Sequence, residues 1–306
     1  MRVVSVNISE EKGTRKFPVD RIEIGHRGVR RDAHAGDWHR QVSMISEELL
    51  KRFSRQTGRE TGPGEFAENI TLAGVDLAAV SLLDRFSAGP LLLEVTQIGK
   101  QCHGDSCVIF REVGRCMMPK AGIFCRVLRG GELKPGDRLD HVQKSLRMAV
   151  VTVSDRASRG DYEDRGGPAV VEILEEFFRD TRWRIAIERS LVSDDAERLR
   201  DKIESLLAGG CDVVITTGGT GVGPRDCTPE VMTALCDKLV PGIMESIRLK
   251  CGENNPRALL SRGVAGTAGR SLVYSLPGSV KAIGEYVPEI LRTTEHLLLM
   301  VNGIGH

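Results

Sequence analysis

A chain of 306 residues exceeds the usual size of one domain and points to two. Its formal net charge of +1 gives no electrostatic case for nucleic acid or an anionic membrane surface as a partner. Hydrophobic residues make up 41% and aromatics only 4%, so the cores must rest on Val, Leu, Ile and Met.

The opening stretch MRVVSVNISEEKG lacks a basic region followed by an apolar run. No apolar stretch nears the roughly 18 residues of a membrane span. The expectation is a cytoplasmic protein without a membrane partner. Eight cysteines, at 102, 107, 116, 125, 211, 227, 236 and 251, include no C-x-x-C pair. In a reducing compartment most of them read as buried small hydrophobes, with no disulfide framework.

Residues 1–145 hold short apolar runs, such as Leu91–Val95 and Ile123–Val127, separated by Gly, Pro and Asp. That texture predicts a mostly-β domain, a barrel. Helical periodicity is confined to about Val42–Phe53. Within Gly28–Ser43, His34 and His39 could bind a metal, or the stretch could be a polar loop capping the barrel, since a spacing of five suits no regular face. Gly64–Thr71 is another polar turn leading to a strand. Cys102, His103, Cys107 and Cys116 admit three readings. Structural zinc favours ligands two to four residues apart, closer than these. A thiolate at Cys102 would be favoured by the flanking Lys100 and His103. A plain buried thiol is the third. The turn GGELKPGD (130–137) leads into a final short strand, and polar Gln143, Lys144 and Ser145 mark a boundary near 145.

Four segments, RDAHAGDWHRQVS (31–43), GEFAENITLAGVDL (64–77), GPLLLEVTQIGKQCH (89–103) and GIFCRVLRGGELKPGD (122–137), resemble the MOSC domain. The MOSC domain is a β-barrel related to the C-terminal part of molybdenum-cofactor sulfurases, and the likeness covers about residues 1–142. The resemblance implies a characteristic cysteine, matched by Cys102, that holds sulfur or contacts the metal–pterin cofactor. It also implies a pocket to which Arg40 and Asn69 contribute. Gln101 stands where many members carry proline.

Residues 146–306 alternate instead. Apolar runs at 148–153, 183–192, 212–217 and 271–276 are interleaved with helical patterns at about 167–179 and 195–208, after Thr228 and Pro241, and from about Ser279. This predicts an α/β domain, a mainly parallel sheet with helices on both faces. Ligands of such sheets bind where strands end at their carboxyl side. There the strand DVVITT runs into Gly218-Gly219-Thr220-Gly221-Val222-Gly223-Pro224-Arg225-Asp226, followed by a helix with Thr228 as its expected N-cap. Glycines let backbone N–H groups approach phosphate oxygens, and Arg225 and Asp226 set a cation and a potential magnesium ligand beside them. Ser154-Asp155 follows the first strand and Pro277-Gly278-Ser279 follows the last, at the same edge. Ser193-Asp194-Asp195 precedes a helix, where an acidic residue also serves as a cap.

SDRASRGDYEDRGGP (154–168), VSDD (192–195), TTGGTGVGPRDCTPE (216–230), PGIMESIR (241–248), LSRGVAG (260–266) and LPGS (276–279) look like the ordered motifs of the MogA/MoaB-type molybdopterin adenylyltransferases. The likeness runs through residues 147–306. It implies a homotrimeric molybdopterin-binding fold that joins AMP from ATP to the terminal phosphate of molybdopterin. By that resemblance Asp194 and Asp226 are catalytic and hold Mg²⁺, and Gly218, Gly219, Thr220, Gly221, Ser154, Asp155 and Arg225 surround the phosphates. Glu245, Ser246, Arg248, Ser261 and Arg262 match the pterin-side motifs. The expected activity is cofactor biosynthesis with molybdenum or tungsten, with molybdo- or tungsto-enzyme apoproteins as recipients. The competing reading is a non-catalytic cofactor carrier. A redox activity of the MOSC half on N-hydroxylated compounds ranks lower, because the sequence has no electron-transfer module to feed it.

Overall fold

Val3 and Val6 are buried on one short strand whose neighbours Arg2 and Val4 are not, and most strands of the first unit show such uneven burial. The computed structural model describes residues 1–100 and 117–304, in two compact units, Met1–Lys144 and Ser145–His306.

In the first unit, β1 (Arg2–Ile8), β2 (Phe17–Val19), β5 (Val42–Ser46), β6 (Ile70–Ala73), β7 (Arg85–Ala88), β8 (Leu91–Ile98), β9 (Ile123–Arg129) and β11 (Asp140–Val142) form a sheet of order β11-β7-β8-β9-β5-β6-β1-β2. All its pairings are antiparallel except β5 with β6. A second sheet joins β10 (Gly131–Leu133), β3 (Ile22–Gly25) and β4 (Gly28–Val29). Val3 N–H donates to the Asp137 carbonyl at 2.9 Å and Leu139 N–H to that of Met1 at 3.1 Å. The large sheet therefore curls, with β1 reaching the chain that enters β11. One apolar cluster, including Val6, Met44, Leu72, Phe86, Leu93 and Ile123, fills it.

The stretch expected to be helical divides in two. Val42–Ser46 is β5, buried at every position, and α1 (Glu47–Thr57) starts only after Ser46, whose hydroxyl caps Leu49 N–H at 3.1 Å. Apolar residues at 42, 44, 45, 49, 50 and 53 fit a helical stripe, but the open edges of β6 and β9 claim Val42–Ser46 as a strand. A turn at Met118–Ala121 (α2) precedes β9.

In the second unit the order is β13 (Arg184–Val192), β12 (Ser145–Val153), β14 (Val213–Thr217), β17 (Ser271–Leu276), β16 (Ala265–Ala268), β15 (Lys238–Leu239). The first four are parallel, and β16 and β15 extend the sheet antiparallel. The helices are α3 (Asp155–Ser158), α4 (Gly166–Arg179), α5 (Ala196–Ala208), α6 (Thr228–Leu235), α7 (Pro241–Gly252) and α8 (Val280–Val301). Leu199 and Ile203 of α5 and Met232 of α6 pack on Val151, Val214 and Val273. Strand side chains alternate between faces, and α4 and α8 pack on the other face of β12 and β17. The mainly parallel sheet with helices on both faces is as expected. The strand within Val264–Ala268 is an addition: that segment reads as a motif in the sequence but pairs with β17.

Candidate functional site

The four parallel strands end on one side at Val153, Val192, Thr217 and Leu276, and the chain after each contributes to a cleft of about 730 Å³. Ser154, Asp155, Asp194, Gly218, Gly219 and Thr220 line it, as do Gly221, Asp226, Ser261 and Pro277–Ser279.

Asp155 and Asp194 hold each other. The Asp155 N–H donates to Asp194 Oδ2 at 2.7 Å and the Asp194 N–H to Asp155 Oδ1 at 3.0 Å. Arg225 donates to Asp155 Oδ2 at 2.6 Å and to the Asp194 carbonyl at 3.0 Å, so the glycine loop is tied to both acidic turns. Capping of α5 falls to Asp195, which accepts from Arg198 N–H at 2.9 Å, and this leaves the Asp194 carboxylate to the cleft. Ser154 caps the short α3, and its Oγ lies 3.1 Å from the Tyr162 hydroxyl.

The loop needs its glycines. Gly218 has φ +104°, and a Cβ there would sit 2.2 Å from the Val153 carbonyl oxygen. Gly219 has φ +62°, and a Cβ would meet Thr228 Oγ1 at 2.5 Å and Asp194 Oδ1 at 3.4 Å. The N–H groups of Gly219, Thr220 and Gly221 meet no protein acceptor among the described residues. Three consecutive unpaired donors at a strand end form a cradle for an anion. The expected N-cap Thr228 is instead the first residue of α6, with Cys227 as the cap residue. Its hydroxyl donates back to the Gly218 carbonyl at 2.9 Å and so braces the loop.

Asp226 Oδ2 accepts from Gly223 N–H at 2.8 Å, while its Oδ1, like Asp194 Oδ1, has no hydrogen bond among the described residues. No three His, Cys, Asp or Glu side chains converge on a metal site among the described residues. Burial, and then the Asp194 charge, push the Cys227 thiol up, which keeps it protonated beside the loop.

Arg262 does not line the cleft. It donates to the Gly221 carbonyl at 2.7 Å and the Asp226 carbonyl at 3.0 Å and pairs with Glu230, so it fastens the loop from behind. Arg248 reaches the carbonyls of Ser261 and Gly263 at 3.5 and 3.4 Å. Glu245 and Ser246 are exposed on α7 and, with Arg248, lie outside the lining. Tyr162, Asn255, Arg257, Lys281, Glu285 and Tyr286 do line it. Sequence reasoning missed them because, Tyr162 apart, they fall between motifs on helical stretches whose polarity reads as solvated surface.

In the first unit, Cys102, His103, Cys107 and Cys116 lie outside the described residues. The Arg40 guanidinium stacks over Trp38 at 4.8 Å, and its buried Nε has no hydrogen-bond partner among the described residues. Asn69 is committed to the scaffold. Its Oδ1 accepts from Ser43 N–H and hydroxyl, both at 3.1 Å, and its amide donates to the Asn7 carbonyl at 3.3 Å. His34 faces Asp32 at 3.5 Å and Lys16 at 3.3 Å. Burial, with Arg40 and Arg126 nearby, lowers the pKa of His39.

The first unit is a curled, mainly antiparallel sheet; the second is an α/β unit whose strand ends carry an anion cradle and paired carboxylates. A family model described as "Probable molybdopterin binding domain" matches residues 149–296, and one described as "MOSC domain" matches residues 31–140. The molybdopterin adenylyltransferase of Helicobacter pylori strain 26695 is 34% identical over 164 residues, spanning 52% of this chain and 90% of the relative. Molybdenum cofactor biosynthesis protein B of Staphylococcus carnosus is 39% identical over 144 residues, spanning 46% of this chain and 82% of the relative. A solved structure of the molybdopterin biosynthesis enzyme MoaB from Thermus thermophilus is 36% identical, covering 52% of this chain and 97% of that one, with a TM-score of 0.47. The chain belongs to the MogA/MoaB-type molybdopterin adenylyltransferase family through its second unit, and it carries a MOSC domain in its first.

Proposed function

We propose that residues 146–306 adenylylate molybdopterin with Mg·ATP, and that residues 1–145 are a MOSC barrel that binds or passes on the molybdenum or tungsten cofactor. The observation that carries the first part is the loop Gly218–Gly221, with three unpaired N–H groups set between Asp194 and Asp226. The cradle accepts phosphate, yet the nearby carboxylates would repel it. A divalent cation resolves the conflict, and the hard oxygens Asp194 Oδ1 and Asp226 Oδ1 fit it. Mg²⁺ takes one or two protein carboxylates and completes its shell with phosphate and water, so no preformed cluster is needed. When bound it neutralises charge on the triphosphate.

In the reaction, an oxygen of the pterin's terminal phosphate bonds to the α-phosphorus of ATP, the α–β bridging bond breaks, and pyrophosphate leaves with that electron pair. The attacking dianion needs no general base. The chain's task is alignment and charge stabilisation: Gly219, Thr220 and Gly221 donate to phosphate oxygens, and Arg225 and Arg262 hold the loop. In the first unit, Arg40 and Cys102 are the residues we assign to the cofactor, while Asn69 braces the scaffold through Ser43 and Asn7. No helix among the described residues is long and apolar enough to cross a membrane. A cytoplasmic homotrimer that hands its product toward apoenzymes completes this reading.

The test is AMP transfer from labelled Mg·ATP to molybdopterin. Wild type should form adenylyl-molybdopterin only with magnesium, and Asp226→Ala should reduce the rate by at least about 100-fold. Tight pterin binding without product, unaffected by the substitution, would favour the cofactor carrier.

A further inference from the structure

The lining of the cleft continues beyond the phosphate cradle onto α8, where Lys281, Glu285 and Tyr286 face it together with Asn255, Arg257 and Ser261. Glu285 lies six residues after Ser279, which at the helical rise is about 9 Å along the axis. That sets Glu285 well along α8 from the Pro277–Ser279 end of the lining.

The surroundings of Glu285 do not consume it. Lys281 Nζ is 4.0 Å from its Oε1 and 75% exposed, which makes a weak, screened pair. The Cys251 thiol lies against it, held protonated by burial and then by the Glu285 charge. Beside it Tyr286 is 1% exposed, and its hydroxyl faces the Ser261 side chain, which also lines the cleft. A half-exposed carboxylate beside a tyrosine hydroxyl on one helix, set back from an anion cradle, suits a flat heterocycle with adjacent N–H donors.

We propose that Glu285 reads the aminopyrimidine edge of the pterin, accepting from its 2-amino group and its N3–H, with the Tyr286 hydroxyl the next polar group available to the ring. The assignment rests on the adenylyl-transfer reading. Its chemical basis is donor order. A pterin presents two neighbouring donors to the two oxygens of a carboxylate, a charge-assisted bidentate pair. Adenine presents its amino group beside the N1 lone pair, which would face a carboxylate oxygen and be repelled. Glu285 thus admits the pterin and turns away the base of ATP, so the two substrates enter one cleft in a fixed order of position, meeting at the glycine loop.

The test uses the full chain and three probes: 6-hydroxymethylpterin phosphate, its lumazine counterpart with an oxo group in place of the 2-amino group, and α,β-methylene-ATP with Mg²⁺. Wild type should prefer the pterin to the lumazine. Glu285→Gln should weaken the pterin at least about tenfold, the scale of one hydrogen bond to a charged group, and abolish the preference. Nucleotide affinity should stay within about twofold, and Glu285→Asp should keep part of the preference. A Glu285→Gln variant that still discriminates pterin from lumazine, or that loses nucleotide and pterin together, overturns the assignment and leaves adenylyl transfer standing. A wild-type protein that binds the nucleotide but no pterin overturns the adenylyl-transfer reading, and this assignment with it.

Discussion

Gly218→Ala separates two things a glycine can do: adopt a left-handed backbone and let another chain come close. At φ +104°, an alanine carries a strain of about 1–2 kcal/mol. Its Cβ would also lie 2.2 Å from the Val153 carbonyl oxygen, a backbone atom that cannot rotate away. Relieving that contact needs about 1 Å of movement between the ends of β12 and β14, an overpacking cost of about 1–3 kcal/mol. The sum, about 2–5 kcal/mol, should lower the melting temperature of the second unit by about 4–20 °C in calorimetry of the full chain. Val153 leads directly into Asp155, which is locked to Asp194, so the carboxylates move as well. A displacement of about 1 Å at the site should slow AMP transfer about 100-fold. Two controls isolate the terms. Gly269→Ala, at φ +58° with nothing within 4 Å of its Cβ, carries the strain alone and should cost about 1 kcal/mol. Gly242→Ala in the first turn of α7, also with open space, should be neutral to slightly stabilising. If Gly218→Ala melts with Gly269→Ala and transfers AMP at the wild-type rate, the close-approach argument is wrong.

Two further outcomes concern the first unit. Lys16 and Asp32 have side chains 0% exposed and pair with each other, so Asp32→Ala should destabilise this unit by about 3–5 kcal/mol in urea unfolding, and an unchanged midpoint would refute the pairing. Burial pushes the Glu68 carboxyl up to about 7, against the hydrogen bonds it accepts from the N–H groups of Gly64 and Phe66. A raised acid pKa means the folded state binds the extra proton, so Glu68's contribution is fully present below about 4.5 and is lost as pH rises through about 7. The first unit should therefore melt lower at pH 8 than at pH 5, and a Glu68→Gln variant should show a flatter dependence over that range.

Much of the second unit can be read directly from the chain. β12, β14 and β17 are continuous apolar runs, as strands buried on both faces must be, and helical stripes separate them. Because parallel strands all end on one side, the segments after Val153, Val192, Thr217 and Leu276 had to share an edge, which is why Asp155, Asp194 and Gly218–Gly221 could be grouped without coordinates. Local chemistry was less secure. A polar residue before a helix has several acceptable partners: Thr228 turned back to Gly218 in place of capping α6, and the choice between Asp194 and Asp195 as a cap was open until the reciprocal bonds with Asp155 settled it.

What the amino-acid order determined by itself is the period of each segment and the side of the sheet on which its loops emerge, because both follow from backbone geometry within a few residues. Only the tertiary structure decided that Val42–Ser46 is a strand, that Asn69 is a strut, that Arg262 fastens the glycine loop from behind, and that Glu285 and Tyr286 face the cleft. The first three of those outcomes depend on a partner distant in the chain: β6 and β9 for the strand, Ser43 and Asn7 for Asn69, Gly221 and Asp226 for Arg262. A periodic pattern states which face of an element is apolar, and it carries no information about which neighbour that face, or the polar face behind it, will meet.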